Sequence, residues 1–411
     1  VPFNVLFKGR EVAYHLNDSD ATGLLVFEGT PELPLAQLAV EAMPDAPGCR
    51  HLIVMTRNPQ ATEHEGQKTL ASVMAGQSPV CPVHPTRPDE TAVMLYTSGT
   101  TGQPKGAELT HSNMVINASL SRDLQLPFID VRPGARNTLL ATLPLFHSYG
   151  QTVLMNAGLL GGSTIVLLPR FEPAAVIETM VREKVNLWAG VPTMFWALLD
   201  HVDRHHLSPH GVAEHLRSAT SGGAPIPVEV LTRFEQVFGV AVLEGYGLSE
   251  TSPVATFNQV GRPSKPGTVG LPMPYCEVAV VDDNDEPVPT GELGEVVIRG
   301  HNIMKGYYKR PEANAEVLRN GWFHSGDIGR LDHDGYLSIV DRKKDMIIRG
   351  GFNVYPRELE EVLMTHPAVS LVAVVGTPDE RLGEEVKAVV VRKPGATVTE
   401  AELIEWSKGQ F

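Results

Sequence analysis

At 411 residues the chain exceeds a single ordinary hydrophobic core, so two or more domains are expected. Its 42% hydrophobic and 20% charged residues are those of a soluble globular protein, and a formal net charge of −14 argues against a nucleic-acid footprint, because a phosphate backbone would be repelled. No apolar run reaches membrane-spanning length and the N-terminus lacks a signal-peptide layout. Cys49, Cys81 and Cys276 lie far apart with no C-x-x-C spacing, which points to reduced thiols and a cytoplasmic enzyme.

In chain order, Val1-Pro2-Phe3 reads as the tail of a strand, so part of the protein is expected to precede it. Residues 10–16 and 35–43 have helical periodicity, and 23–27 and 51–56 read as short apolar strands. Residues 91–95 read as a buried strand ending in a loop, and Thr110 is placed to cap a helix running to about 120. Beyond it, strand candidates at 138–143, 164–168, 186–191 and 217–220 alternate with helical stretches at 151–160, 173–184, 192–202 and 227–238. Repeated strand–helix–strand units imply a largely parallel sheet covered on both faces. Residues 268–340 change character: alternating runs between turn clusters read as an antiparallel, barrel-like region. Asp332-His333-Asp334-Gly335 lacks the remaining ligand positions of a calcium loop and reads as a hairpin turn. After 345, an acidic amphipathic helix (356–365), two strands (369–375 and 386–391) and a helix start near Thr399 look like the beginning of a small domain. That domain reads as stopping before it can close a convincing core.

The stretch Y-T-S-G-T-T-G-Q-P-K-G, residues 96–106, carries the strongest local chemistry. Gly99, Gly102 and Gly106 let backbone N–H groups crowd around an anion; Thr97, Ser98, Thr100 and Thr101 add hydroxyl donors, and Lys105 adds a point charge. The composition is that of a polyphosphate cradle, expected at the carboxyl ends of the strands where α/β sheets bind ligands. It is not a Walker loop, since no Gly-Lys pair occurs in the chain.

Downstream come L-P-L-F-H-S-Y-G (143–150), S-G-G-A-P (221–225), E-G-Y-G-L-S-E-T (244–251), H-S-G-D-I-G (324–329) and D-R-K-K-D-M-I-I-R-G-G-F-N-V-Y-P-R-E-L-E (341–360). With the first loop, and in this order, they resemble the adenylate-forming superfamily of acyl-CoA synthetases, luciferases and peptide-synthetase adenylation domains. Within it the chain is most similar to fatty acyl-CoA synthetases, with 4-coumarate-CoA ligases close behind. The resemblance implies an α/β fold. Its large N-terminal domain (1–341) would have mainly parallel sheets flanked by helices plus a β-barrel-like region. A hinge linker (342–344) would join it to a small mobile α+β C-terminal domain (345–411), incomplete here.

The implied reaction joins a carboxylic acid to ATP as an acyl-adenylate, from which the coenzyme A thiol displaces AMP. Such a site must neutralise phosphates, grip adenosine, hold Mg²⁺ and keep water out. By resemblance, Thr97, Ser98, Gly99, Thr100, Thr101, Gly102 and Lys105 would hold the β- and γ-phosphates. Tyr246 would lie against adenine, flanked by Gly222, Gly223, Ala224, Pro225 and the backbone of Glu244 and Gly245. Asp327 would accept from the ribose hydroxyls with Arg342 as a further ribose ligand. Glu250 would coordinate Mg²⁺, Thr251 would donate to the α-phosphate, and His147 would orient the acyl carboxylate. Lys344 matches the pivot of the hinge, and Gly350 and Gly351 would line a coenzyme A channel. Gly247, where acetate-activating relatives carry Trp, and the uncharged wall around Val191 favour a fatty or aryl acid, with a lean to a medium- or long-chain fatty acid.

Two other outcomes compete: a fatty acyl-AMP ligase that passes the acyl group to a carrier protein, and a non-catalytic nucleotide-binding homologue. The expected partners are a small carboxylic acid, ATP and coenzyme A, with a homodimer as an option. The family's late lysine, in a P-x-x-x-x-G-K context, has no match in Lys387, Lys393 or Lys408, and Val1-Pro2-Phe3-Asn4 looks like the remnant of an N-terminal family segment. Loss of one such charge donor typically slows a reaction by on the order of 10²–10³. These 411 residues alone are therefore expected to bind nucleotide yet adenylate poorly; vigorous acid-dependent pyrophosphate exchange by this polypeptide would contradict that.

Overall fold

The computed structural model describes residues 1–97, 103–132, 134–259, 264–379, 381–408 and 410. The chain packs as two units, Val1–Met114 with Met304–Pro311, and Val115–Ile303 with Glu312–Phe411.

In the first unit, the helix Gly9–Asp18 and the helix Leu35–Ala42 bury small and apolar side chains, Val12, Ala13, Leu16 and Ala42, around Ala46 and Cys49. The strands Gly23–Phe27 and His51–Met55 run parallel, joined through the second helix as a crossover requires. Strand Thr91–Thr97 pairs antiparallel with Lys105–Thr110 (Thr97 opposite Lys105), and the short strand Gly306–Tyr307 adds to the far edge of the latter. Thr110 caps the helix His111–Gln125: its Oγ1 accepts from the Asn113 N–H at 3.1 Å while Asn113 Oδ1 accepts from the Thr110 N–H at 2.8 Å.

Two expectations are corrected here. Residues 1–4 form no strand. The glycine-rich stretch does not leave the carboxyl edge of a parallel sheet; it joins two antiparallel strands, because the connection 98–104 is shorter than the dozen or so residues that a parallel crossover needs.

The second unit is built on a seven-stranded sheet. In spatial order its strands are Leu271–Pro272, Val254–Phe257, Val242–Gly247, Ser218–Ser221, Leu187–Gly190, Thr138–Ala141 and Thr164–Leu167. The last five are mutually parallel and the first two antiparallel. Every residue of the three central parallel strands is buried, as expected of a sheet covered on both faces. The covering helices Pro173–Arg182, Pro192–His205 and Val228–Phe238 carry apolar residues at helical spacing; in the last, Val230, Leu231, Phe234 and Phe238 form one stripe. The segment expected as helix from 151 begins earlier and winds as a π-helix over Tyr149–Asn156, followed by an α-helical turn, Ala157–Leu160.

The antiparallel region is present as Cys276–Val281, Gly294–Gly300 and Trp322–Leu331, with Leu318–Arg319 and Leu337–Arg342 also paired to Trp322–Leu331. Residues 332–335 form the turn between its last two strands, with Lys265 Nζ on Asp332 at 2.7 Å and also on Asp334. The C-terminal segment has a four-stranded antiparallel sheet and the helices Pro356–Met364 and Glu400–Ser407. In the segment expected to lack a convincing core, a small cluster forms: Ile347, Leu363 and Val374 are buried together, with Leu359, Val386 and Trp406 packed on them.

The main core of the second unit centres on Phe234, fully buried, whose ring lies 4.8 Å from Phe195, 6.0 Å from Trp188 and 4.4 Å from Phe238. Phe234→Ala is expected to cost about 3–5 kcal/mol in a urea denaturation series, through lost transfer energy and the cavity left behind.

Candidate active site

Most sequence-selected residues of the second unit fall just beyond, or on the last residues of, the carboxyl ends of its parallel strands. His147 follows Thr138–Ala141, Val191 follows Leu187–Gly190, Gly222–Pro225 follow Ser218–Ser221, and residues 248–251 follow Val242–Gly247. The turns after four neighbouring strands thus fall on one edge of the sheet, which is where open α/β sheets bind ligands.

Tyr246, Asp327 and Arg342 come together although they lie far apart in sequence. The Tyr246 hydroxyl donates to Asp327 Oδ2 at 2.6 Å. Asp327 stands directly opposite Arg342 in the antiparallel pair of strands, and Arg342 Nε lies 3.5 Å from Asp327 Oδ1. Asp327 is only 4% exposed. Burial pushes its pKa above the ordinary carboxylate value, against the Tyr246 hydrogen bond and the Arg342 charge, which lower it, and with help from Glu250 and Glu295, which raise it. Burial and the neighbouring carboxylate push the Tyr246 hydroxyl well above its usual range, so it stays a proton donor. The result is one buried carboxyl held between a phenol and a half-exposed guanidinium, with lone pairs left over for a polar ligand.

Glu250 lies in the single turn Ser249–Thr251 and is buried, and its charge is felt at Asp327. The loop from strand 138–141 reaches the same place: Ser148 Oγ is 3.5 Å from Ser249 Oγ. His147 beside it is solvent-accessible, and the protein packed around its ring lowers its pKa below the ordinary imidazole value. Its Nδ1 accepts from the Tyr149 N–H at 3.3 Å, which puts the proton of the neutral ring on Nε2. The Tyr149 hydroxyl is 2.9 Å from Thr220 Oγ1, tying this loop to the strand that leads into Gly222 and Gly223.

Thr251 is corrected. It is fully buried, and its hydroxyl is used locally: it accepts from the Leu248 N–H at 2.8 Å and lies against the Leu248 and Pro253 carbonyls. A threonine has a single O–H to donate, so none remains for a phosphate. Ser249, which the sequence reading passed over, is half-buried and has its hydroxyl on the side of Ser148. Its place immediately before Glu250 was the available signal.

Glu244 is buried below the strand end and accepts from the Ile226 N–H, bracing the loop that holds Gly222, Gly223, Ala224 and Pro225. Gly247 lacks a side chain for a local reason: a Cβ there would collide with the Pro253 carbonyl. The backbone here therefore requires a glycine whatever the acid. Val191 lies beside Gly223, at 3.6 Å from where a Cβ of that residue would be.

Gly350 and Gly351, with φ of +58° and +86°, are the two loop residues of a hairpin in which Arg349 pairs with Phe352. A two-residue turn of this kind demands positive φ at both positions, which accounts for both glycines without a coenzyme A channel. Lys344 is exposed in the turn after the strand Leu337–Arg342, while its neighbour Lys343 reaches Asp283 at 2.8 Å and Glu295 at 3.7 Å.

Thr97 and Lys105 belong to the first unit, where they face each other across the hairpin, with Lys105 Nζ 5.3 Å from the centre of the Tyr307 ring. Ser98, Gly99, Thr100, Thr101 and Gly102 lie outside the described residues. Among the described residues, no three His, Cys, Asp or Glu side chains form a metal-holding group, and no helix is long and apolar enough to cross a membrane.

Comparison with known proteins gives a consistent set of matches. The model of the AMP-binding enzyme family matches residues 1–308, and that of the AMP-binding enzyme C-terminal domain matches residues 358–411. A long-chain-fatty-acid–CoA ligase of Bacillus subtilis (strain 168) is 41% identical over 321 residues, 78% of this chain and 56% of the ligase. A feruloyl-CoA synthase of an Amycolatopsis species is 41% identical over 322 residues, 77% of this chain and 63% of the synthase. The alignments thus span less than two thirds of either relative. Among solved structures, ATP-bound MatB from Rhodopseudomonas palustris superposes with a TM-score of 0.87 at 32% identity, covering 100% of this chain and 77% of that one.

Glu244 offers a test of the electrostatics. Burial pushes its carboxyl up to about 7 from 4.5, against the Ile226 hydrogen bond and the Arg357 charge, which lower it, and with the Glu361 charge adding to it. Between those pH values the folded chain keeps a proton that the unfolded chain has released, so this group makes the fold less stable as pH rises through the window. Glu244→Gln should therefore exceed the unsubstituted protein in stability by on the order of 1–3 kcal/mol at pH 8. In urea titrations the gap should shrink towards pH 5; equal gaps at both pH values would refute the buried, proton-holding carboxyl.

Proposed function

The chain belongs to the AMP-binding enzyme family, and on that premise we propose that it activates a carboxylic acid with ATP and passes the acyl group to coenzyme A. In the first step a carboxylate oxygen attacks the α-phosphorus; the bond to the β-phosphate oxygen breaks, leaving acyl-AMP and pyrophosphate. In the second, the thiol sulfur adds to the acyl carbonyl, loses its proton and expels AMP. The observation that carries this reading is the meeting of Tyr246, Asp327 and Arg342 at the strand ends, beside Gly222–Pro225 and buried Glu250.

Each residue has a task that suits its chemistry. Asp327, fixed by Tyr246, accepts from ribose hydroxyls, and Arg342 adds a donor from the facing strand. The aromatic face of Tyr246 and the loop 222–225 enclose adenine. The Nε2 proton of His147 is directed to the acyl carboxylate, and the Ser249 hydroxyl takes the α-phosphate role that Thr251 cannot fill. Glu250 alone fits Mg²⁺, which typically takes one or two carboxylates with the remaining sites left to phosphate and water. The bound ion would supply charge neutralisation for the phosphates. The stretch 97–105 of the first unit has the composition of a grip for β- and γ-phosphates. The large domain is taken as 1–341 and the small one as 345–411, with Lys344 as pivot, so that the small domain changes pose between the two steps.

For the acid, a fatty chain and an aryl group remain as alternatives, since a fatty-acid ligase and a feruloyl-CoA synthase are both 41% identical to this chain. The uncharged wall around Val191 disfavours amino acids. A panel of acetate, amino acids, aryl acids and fatty acids in a coenzyme A-dependent pyrophosphate-release assay on the intact enzyme tests the reading. The expected maximum is on a fatty or aryl acid; Asp327→Ala should weaken AMP binding at least tenfold, as loss of a charge-assisted hydrogen bond implies. A maximum on acetate or an amino acid, or unchanged AMP affinity in that variant, would sink it.

A further inference from the structure

Resting on the proposed nucleotide role, we propose that Tyr14, Asp18 and Arg310 are positioning residues that set the geometry of the phosphate loop from its two stems. Tyr14 and Asp18 are four residues apart on the helix Gly9–Asp18 and so share one face. From that face, the Tyr14 hydroxyl donates to the Pro104 carbonyl at 2.7 Å, two residues after the loop segment 98–102. Asp18 Oδ2 accepts from the Tyr96 hydroxyl at 2.8 Å, two residues before it. Arg310 closes the set, donating to Asp18 Oδ1 and to the Tyr14 hydroxyl at 3.4 Å. A single helical turn therefore holds both ends of the loop.

The segment carrying Arg310 is itself attached to the outgoing stem. Gly306 and Tyr307 pair with Glu108 and Ala107, and the Tyr308 N–H donates to the Gly106 carbonyl at 2.8 Å. Tyr308 and Lys309 both reach Asp20, each at 2.7 Å, just beyond the helix. The hairpin pairing Tyr96–Gly106 and Thr97–Lys105 would hold the strands together without any of these side chains. What the set adds is a carboxylate, 10% exposed, between a phenol and a guanidinium. Burying such a pair seldom stabilises a fold more than apolar packing would; what it does here is fix the geometry of both stems, through Tyr96 and Pro104. A loop that grips phosphates needs that, since displacements of about 1 Å at such sites can cost on the order of 10² in rate.

The test separates phosphate grip from nucleotide binding by comparing ATP with AMP, which lacks the groups the loop holds. Isothermal titration of each is run on this chain and on Tyr14→Phe, Asp18→Asn and, as a neighbouring control, Lys309→Gln. Tyr14→Phe and Asp18→Asn should weaken ATP about tenfold and AMP less than twofold, as expected for one lost positioning hydrogen bond, with Lys309→Gln near the unsubstituted values. Should Asp18→Asn fail to fold, Tyr14→Phe, which removes one oxygen, still decides. Unchanged ATP affinity, or equal losses for ATP and AMP, would overturn the positioning role. Failure of the unsubstituted chain to bind AMP would instead overturn the nucleotide reading beneath it.

Discussion

Asp327, held by Tyr246 and faced by Arg342, is the constraint on which the rest of the site depends. A carboxylate with 4% exposure is costly unless its oxygens are occupied. The hydroxyl 2.6 Å away and the guanidinium across the strand pair meet that need in part. Tyr246 closes a strand of the parallel sheet, whereas Asp327 and Arg342 stand on neighbouring strands of the antiparallel one. This hydrogen bond is therefore one of the links between the two sheets of the second unit, at the edge where the strand ends lie. Moving either sheet would leave a buried charge without its donor, which resists displacement more strongly than loss of apolar contact alone.

The strand ends supply the rest of the geometry. A parallel strand delivers its last residue to one edge of the sheet, and its neighbours deliver theirs to the same edge. His147, Val191, Gly222 and Ser249 fall on the same edge of the sheet for that reason. The Tyr149 hydroxyl on Thr220 and Ser148 beside Ser249 then fix the first of these loops to a neighbouring strand and to the turn at Ser249. Loops so anchored need little ordering when a ligand arrives, which lowers the entropy cost of binding.

What was legible in the sequence follows from how local each cause is. Strands and helices of the parallel sheet were readable because apolar periodicity and caps such as Thr110 lie within a few residues of what they specify. The convergence of Tyr246 with Asp327 was readable only through the ordered motifs, since no periodicity links positions in different sheets. Strand direction at the phosphate loop was misread because composition describes the loop and not its partner strand. Thr251 was misassigned since the groups that occupy its hydroxyl are backbone carbonyls, which leave no mark on the sequence. Gly247 and the pair Gly350–Gly351 were read as room for a ligand, although a nearby carbonyl and a two-residue turn already require them. A glycine signals that a side chain is excluded; it does not say by what.

Three acids, Glu244, Glu250 and Asp327, are buried around a site proposed for a polyanion, and a chain of net charge −14 gives no general attraction to offset them. The conflict resolves if each carboxyl meets something other than phosphate. Asp327 is suited to neutral hydroxyls, for which an acceptor of this kind is the right partner. Among the described residues Glu250 belongs to no group of three metal-ligating side chains, so it fits a cation shared with phosphate oxygens better than a self-sufficient metal cage. Glu244 faces the backbone and, with its carboxyl pushed up to about 7, sheds much of its charge near neutrality. The stretch 97–105, by contrast, carries hydroxyls, backbone N–H groups and a lysine with no acid among them, the composition proposed above for the anion. Residue type thus separates a carboxyl suited to neutral hydroxyls, a carboxyl suited to a cation, and a stretch of donors suited to an anion.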